Sequence, residues 1–233
     1  MAKKTNSFDV LAIGAHPDDV DFCMGGILAK MAAEGSAVAI LDLTSGEKGT
    51  HGTPVLRRKE GEKAAQVIGA KRFFLDFKDG SIVDSPEGRK KIAGVIRDLK
   101  PKLVFAPVWK GVMSHPDHFA CGQMARNAVR YARLEKMVPN KRKHQVDGIL
   151  HYLFPYQENP DFLIDVTPYK DLWQEMMLCH ASQMKTFDYV GWNMRSARKF
   201  GDMAGVEYAQ GLIKGNPVIV DTPLIISRGT REV

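Results

Sequence analysis

The chain has 233 residues, of which 44% are hydrophobic and 26% charged, with a formal net charge of +6 at pH 7. This length predicts a single domain with a substantial core, and no apolar run approaches the roughly 20 residues that a membrane helix needs. Three cysteines that lie far apart, without a C-x-x-C pair, favour a reducing, cytoplasmic location over a disulfide framework. The densest basic run, residues 141–144, has no interleaved aromatic residues, so we expect a solvated loop and no nucleic-acid partner.

Strand and helix patterns alternate along the first 135 residues. Strands are predicted at residues 8–13, 37–43, 72–77 and 103–106, and helices at residues 20–34, 55–68, 86–99 and 117–134. This βαβα order predicts a parallel sheet with right-handed crossovers. We therefore expect an α/β fold, Rossmann-like and doubly wound, with a mainly parallel sheet of core order 3-2-1-4-5.

The remaining residues predict an α/β extension of this core. Further strands are predicted at residues 148–154, 162–166 and 217–220, and helices at residues 168–183 and 195–203. We expect one domain over residues 1–233, with a core of about residues 1–135 and a C-terminal extension of about residues 146–233.

A cluster of ionisable residues follows the first predicted strand. His16, Asp18 and Asp19, with Pro17 among them, lie on a strand-to-helix turn, at the sheet edge where ligands bind in open α/β folds. Such crowded carboxylates favour a nearby cation, and zinc accepts both imidazole nitrogen and carboxylate oxygen. The alternative is helix capping, with an aspartate accepting amide hydrogen bonds and the proline in the first helical turn.

A second cluster, His115, Pro116, Asp117 and His118, follows the fourth predicted strand and again precedes a helix. In a 3-2-1-4-5 sheet the first and fourth strands are neighbours at the topological switch point, so the topology brings the two clusters together. Capping explains one such cluster more easily than two. A catalytic zinc ion takes three protein ligands and leaves one position open. Spacing alone does not choose those three from the six histidine and aspartate candidates.

The two clusters resemble the motifs of the PIG-L/LmbE-like family of zinc-dependent N-deacetylases, A-H-P-D-D-x-E and H-P-D-H. Residues 44–47, 57–60, 179–183 and 205–209 extend the resemblance, which is greatest to the deacetylases of bacillithiol biosynthesis. The resemblance implies one zinc ion per chain, with iron(II) as the alternative metal. It assigns the metal to His16, Asp19 and His118, and the family's members often form homo-oligomers, which we also expect here.

The resemblance also assigns roles to the remaining site residues. Asp18 is expected to be the general base, and His115 to stabilise the oxyanion or protonate the leaving amine. Asp117 would orient an imidazole, most plausibly that of His115. Arg57 matches a family arginine that holds the substrate, although an ordinary surface arginine is the alternative. Asp21 stands where the family has glutamate, and we expect it to contact the substrate or support the metal site with a shorter reach.

The implied function is removal of the acetyl group from an N-acetylglucosamine-type glycoside, with N-acetylglucosaminyl malate of bacillithiol biosynthesis as one substrate. A chitooligosaccharide or another N-acyl sugar is the nearest alternative, and a basic nucleic-acid-binding module is a more remote one. A dinucleotide-binding domain is disfavoured, because residues 14–18 place bulk and negative charge where a pyrophosphate needs glycines.

Overall fold

One mixed sheet of seven strands runs through the computed structural model of the chain, which describes residues 7–111, 115–155, 157, 159–222 and 229. The strands are β1 Val10–Gly14, β2 Val38–Asp42, β3 Lys71–Phe74, β4 Leu103–Pro107, β5 Gly148–Tyr152, β6 Phe162–Asp165 and β7 Ala209–Lys214. Their order across the sheet is β3-β2-β1-β4-β5-β7-β6. The predicted α/β fold and the 3-2-1-4-5 core order are therefore confirmed.

The central strands are parallel, and this sets the position of the functional site. In β1, Val10 lies opposite both Val38 of β2 and Leu103 of β4. The carboxyl ends of β1 and β4 consequently lie side by side at one edge of the sheet. Only β7 runs antiparallel to its two neighbours, β5 and β6, and it carries the C-terminal residues into the same sheet.

Six α-helices pack on the two faces of the sheet within the described residues. They are α1 Asp19–Ala33, α2 Pro54–Val67, α3 Pro86–Leu99, α4 Pro116–Arg133, α5 Lys170–Leu178 and α6 Tyr189–Ala204. Helices α2, α3 and α4 each have proline in the first turn, where a missing amide hydrogen costs nothing. The side chains of Thr53 and Ser85 cap α2 and α3 by accepting amide hydrogen bonds.

The C-terminal part differs from the prediction in three places. The helix predicted at residues 168–183 is shorter, because α5 ends at Leu178 and the buried His180 turns inward. Helix α6 begins before residue 195, since Asp188 caps it by accepting a hydrogen bond from the Gly191 amide. The prediction of a strand at residues 217–220 is wrong, because those residues form no strand and Ile219 is 96% exposed. The last strand of the sheet along the chain is instead β7.

The apolar core has two layers, one on each face of the sheet. One layer packs β1 and β2 against α1, α5 and α6, and the other packs the opposite strand faces against α3 and α4. At Gly122 of α4, an added Cβ would lie 2.3 Å from the Pro107 carbonyl oxygen. Glycine at this position therefore lets the second turn of α4 pack directly against the end of β4. Within the described residues, no helix combines the length and apolar character needed to cross a membrane.

One buried histidine in the core lies outside the predicted clusters. His151 of β5 is completely buried, and its Nδ1 lies 2.8 Å from the Pro107 carbonyl oxygen. Burial lowers the pKa of His151 to about 4, and the positive charge of Arg126 adds to this effect, although the hydrogen bond to Pro107 opposes it. His151 is therefore neutral in the folded protein at physiological pH.

Candidate active site

A cavity of about 430 Å³ lies at the sheet edge where β1 and β4 end. Both sequence clusters reach it, because one forms the β1–α1 turn and the other begins α4. Five of the six predicted candidates line the cavity, namely His16, Asp18, Asp19, His115 and His118. The sixth, Asp117, is buried beside them and does not line the cavity itself.

The predicted metal ligands lie together at the cavity floor. The Asp19 carboxylate accepts hydrogen bonds of 2.9 Å from the backbone amides of Ala15 and His16, which fix its orientation. Its Oδ1 lies 3.0 Å from Nε2 of His118, and its Oδ2 lies 3.5 Å from Nδ1 of His16. Two imidazole nitrogens and one carboxylate oxygen therefore converge, as in a catalytic zinc site with one open position.

Carboxylates surround His16 on both sides of its ring. Its Nε2 lies 3.1 Å from Oδ1 of Asp79 and 3.5 Å from Oδ2 of Asp117, so this nitrogen carries the hydrogen and Nδ1 remains to bind a cation. Burial alone would lower the pKa of His16, but the neighbouring carboxylates, led by Asp19, outweigh it and raise the pKa well above its usual value. The field at this ring thus favours a positive charge.

Two groups of three side chains could hold a zinc ion, and one of them fits it better. His16 also lies near His115 and Asp117, and these three could in principle hold a metal. However, Asp79 and Asp117 already face Nε2 of His16, whereas Nδ1 faces the fixed carboxylate of Asp19. The group of His16, Asp19 and His118 is therefore the candidate metal site.

The ring of His118 is held by an aromatic neighbour that the sequence reasoning missed. Phe154 stacks on it with ring centroids 4.2 Å apart and an angle of 10° between the planes. Phe154 follows β5 and also lines the cavity. Its position inside an apolar strand pattern gave no sign of this contact.

The carboxylate of Asp117 faces the imidazole of His16, whereas the prediction favoured that of His115. Its carboxylate accepts hydrogen bonds from the amides of Gly80 and Ile82, at 2.7 and 3.2 Å, and faces His16. The reason is geometric: Asp117 lies in the first turn of α4, so its side chain points to the loop after β3. The hydrogen bond between Asp117 and His115 comes from the Asp117 backbone amide, which donates to Nδ1 at 3.3 Å.

His115 lies on the open side of the cavity. It is exposed and is the N-cap residue of α4. Because Nδ1 accepts the Asp117 amide, a neutral His115 ring carries its hydrogen on Nε2 and can donate it. Burial and the positive charges of His16 and His118 lower the pKa of His115, which favours that neutral form.

Asp18 is held by Arg57, and Arg57 is not an ordinary surface residue. Nη2 of Arg57 lies 3.1 Å from Oδ2 of Asp18, and Nη1 donates to the Gly46 carbonyl oxygen at 2.8 Å. Gly46 has φ of +63°, and an added Cβ would lie 1.9 Å from Nη1 of Arg57. A buried arginine thus fixes the predicted base at the cavity floor, and Gly46 makes room for it.

Asp21 does not contact the cavity, and the prediction of a substrate contact there is wrong. The residue is completely buried. Its Oδ2 lies 2.7 Å from Nη1 of Arg72 and 2.7 Å from Nε2 of His180. One residue further along α1, Phe22 does line the cavity, because successive helical side chains point about 100° apart.

The outer wall of the cavity comes from the C-terminal part of the chain. Tyr189 and Trp192 of α6 line it, and Tyr189 stacks on Phe22 with centroids 5.2 Å apart. Lys48, an exposed cation in the loop after β2, also lines the cavity. The sequence reasoning did not identify these wall residues, since aromatic positions in a helix are equally typical of core packing.

Comparison with known proteins extends these observations. The family model described as PIG-L, GlcNAc-PI de-N-acetylase, matches residues 11–129, which contain both clusters. A diacetylchitobiose deacetylase from Thermococcus kodakarensis is 30% identical over 220 residues, covering 87% of this chain and 81% of that protein. A probable N-acetyl-alpha-D-glucosaminyl L-malate deacetylase 2 from Bacillus anthracis is 26% identical, covering 78% and 84%. The crystal structure of a conserved protein from Thermus thermophilus is similar with a TM-score of 0.86 at 36% identity, covering 95% of this chain and 100% of that one.

Proposed function

Because the chain belongs to the PIG-L family of de-N-acetylases, we propose that it is a zinc-dependent enzyme that hydrolyses the N-acetyl group of an N-acetylglucosamine glycoside. N-Deacetylation itself follows from the family and from the named relatives. The observation that supports zinc is the convergence of His16, Asp19 and His118 on one point of the cavity floor. Two imidazoles and one carboxylate suit zinc, and iron(II) accepts the same donors.

A zinc ion bound to these three residues would polarise the acetyl carbonyl and lower the pKa of a water molecule beside it. Asp18 would receive the proton of the attacking water, and the ion pair with Arg57, which holds its carboxylate at the cavity floor, supports this role. The new bond joins the water oxygen to the acetyl carbon, and the bond from that carbon to the sugar nitrogen breaks. His115 would donate a hydrogen bond from Nε2 to the carbonyl oxygen, and the proton received by Asp18 would pass to the leaving nitrogen. The products are acetate and a free amine.

The cavity wall supports a second sugar ring more than a malate group as the distal part of the substrate. Arg57, the cation expected to hold the substrate, is 4% exposed and already paired with Asp18 and the Gly46 carbonyl. The aromatic faces of Tyr189 and Trp192 suit the apolar face of a sugar ring. We therefore propose a diacetylchitobiose-type disaccharide as the substrate, with N-acetylglucosaminyl malate as the second candidate. Lys48 is the residue that would bind the malate carboxylates.

A three-substrate assay tests this choice. Acetate release would be measured with diacetylchitobiose, N-acetylglucosaminyl malate and plain N-acetylglucosamine. We expect the highest kcat/KM on the disaccharide, and Trp192→Ala should lower that value about tenfold while changing the value for N-acetylglucosamine little. Trp109→Ala is the control, because that ring packs on His151 away from the cavity. A preference for the malate conjugate that Lys48→Ala abolishes would reject the disaccharide.

A cytoplasmic location and a homo-oligomeric state complete the proposal. The location is supported by Cys23, Cys121 and Cys179, which are all buried and unpaired. The oligomer rests on the family resemblance alone, and light scattering in solution tests it. A nucleic-acid partner is disfavoured, because Lys141 and Lys143 of the basic run pair with Asp98 and Glu135.

A further inference from the structure

A buried ionic cluster lies directly behind the predicted metal-binding turn. It consists of Arg72, Asp21, Asp42 and His180, whose side chains are at most 1% exposed. These four residues come from β3, α1, the end of β2 and the segment after α5. None of them lines the cavity, so none can contact a substrate there.

The Arg72 guanidinium joins the end of β2, the first turn of α1 and the turn before α1. Nε and Nη2 donate to Asp42 at 2.6 and 3.0 Å, and Nη1 donates to Asp21 at 2.7 Å. Nη2 also donates to the carbonyl oxygen of Pro17. Pro17 lies between a predicted metal ligand, His16, and the predicted base. Arg72 therefore fixes the Pro17–Asp18 peptide group, one of the two peptide groups that link these residues.

The C-terminal part of the chain holds the same cluster from the other side. His180 lies 2.7 Å from Asp21 through Nε2, and Nε1 of Trp173 donates to the Asp21 backbone carbonyl at 2.8 Å. Asp21 is two residues from Asp19, another predicted metal ligand, in the first turn of α1. The first helical turn behind the metal site is thus held by residues from β3 and from the C-terminal part.

Stability alone is a weak reason for this arrangement. Removing charges from water costs several kcal/mol for each ion, and apolar side chains of similar volume often stabilise a protein as well or better. A planar guanidinium differs from apolar packing because it fixes each partner in direction as well as in distance. The feature that such a cluster adds here is therefore a defined orientation of the turn that carries the catalytic groups.

We propose that Arg72 is a positioning residue, held by Asp21 and Asp42, that sets the geometry of the turn between His16 and Asp18. His180 extends this support to the C-terminal part of the chain. The inference rests on the proposed deacetylase function for its kinetic consequences, but its consequence for metal binding does not depend on the substrate. It also gives Asp21 a role: the aspartate side chain reaches Arg72 and His180 inside the protein.

The central test compares two buried arginines. Arg72→Lys keeps the charge but cannot hold Asp21, Asp42 and the Pro17 carbonyl together. Arg97→Lys is the matched control, because Arg97 is 2% exposed and donates to backbone carbonyls at the end of α4, away from the cavity. We expect Arg72→Lys to lower kcat about 10- to 100-fold with little change in KM, and to weaken zinc binding about tenfold in competition with a chelator. Arg97→Lys should lower the melting temperature and change neither kcat nor zinc affinity.

A second pair of variants keeps the proposal testable if Arg72→Lys does not fold. His180→Leu removes the partner of Asp21, whereas His180→Gln keeps a hydrogen-bond donor. We expect a loss of about three- to tenfold in kcat and in zinc affinity for His180→Leu, and recovery in His180→Gln. Zinc affinity and kcat unchanged in folded Arg72→Lys, or in His180→Leu, would overturn the positioning role. If the wild-type protein deacetylated no sugar, the proposed function would fail, while the zinc measurements would still decide the role of Arg72.

Discussion

The structure predicts that Asp79, which follows β3, sets the affinity of the metal site through His16. Its Oδ1 lies 3.1 Å from Nε2 of His16, and its Oδ2 accepts the Lys48 amide at 2.8 Å, so the carboxylate is held in place. Carboxylates in this position fix the ring and increase its basicity, and their loss typically costs 10- to 100-fold in metal affinity. This corresponds to about 1.4–2.7 kcal/mol. Because Asp117 remains 3.5 Å from the same nitrogen, we expect Asp79→Ala to lose about tenfold.

The assay is zinc binding in competition with a chromophoric chelator, followed by acetate release at saturating zinc. Saturation should restore much of the activity of Asp79→Ala, since the three metal ligands remain. Asp76→Asn is the matched control: Asp76 lies nearby in the chain, but its side chain is 78% exposed and pairs with Lys91. Zinc affinity equal to wild type in Asp79→Ala would refute the role assigned to this carboxylate.

Three further predictions follow from the site and the core. Gly46→Ala should lower kcat/KM at least tenfold, because the new Cβ would overlap the arginine that holds the base; Gly35→Ala is the control, with a similar positive φ and no atom within 4 Å. Asp18→Asn should keep zinc and lose turnover by about a hundredfold, whereas Asp19→Ala should lose zinc. If the two variants did not differ in this way in metal content and rate, the roles of base and metal ligand would be wrongly assigned. Since His151 has a folded pKa of about 4, below its unfolded value, the unfolded state takes up its proton first as the pH falls. Unfolding free energy should therefore decline from about pH 6.5 towards pH 4, by about 2 kcal/mol at pH 5 for this group. The unfolding free energy of His151→Phe, measured by urea unfolding, should lack that decline with pH. An equal decline in the variant and the wild-type protein would contradict the prediction.

The sequence was sufficient to predict the sheet core and the meeting of the two clusters. Each cluster followed an apolar strand and preceded a helix, and parallel topology then placed both at one edge. The spacing of His16 and His118 did not identify the ligands by itself. The resemblance named His16, Asp19 and His118 as the ligands. In the structure, one possible ligand atom from each of these residues lies within 4.8 Å of the other two.

The remaining site residues depend on contacts between segments that are distant in the chain. Asp79 approaches His16 only because the loop after β3 folds over the sheet edge, and no local pattern marks that loop as functional. His180 lies within the helix predicted at residues 168–183, yet that helix ends earlier and the side chain turns inward onto Asp21. The missed strand β7 contains Gln210 and Gly211, which weaken a strand pattern, and it is stabilised by pairing with β5 and β6.

The most direct test of the central claim is acetate release from diacetylchitobiose by the same protein with and without metal. The protein would be purified without chelators, analysed for metal, stripped with a chelator and then titrated with zinc. We predict about one metal ion per chain, loss of activity on stripping, and full recovery near one equivalent of zinc. Full activity in the metal-free protein would contradict a metal-dependent deacetylase centred on His16, Asp19 and His118.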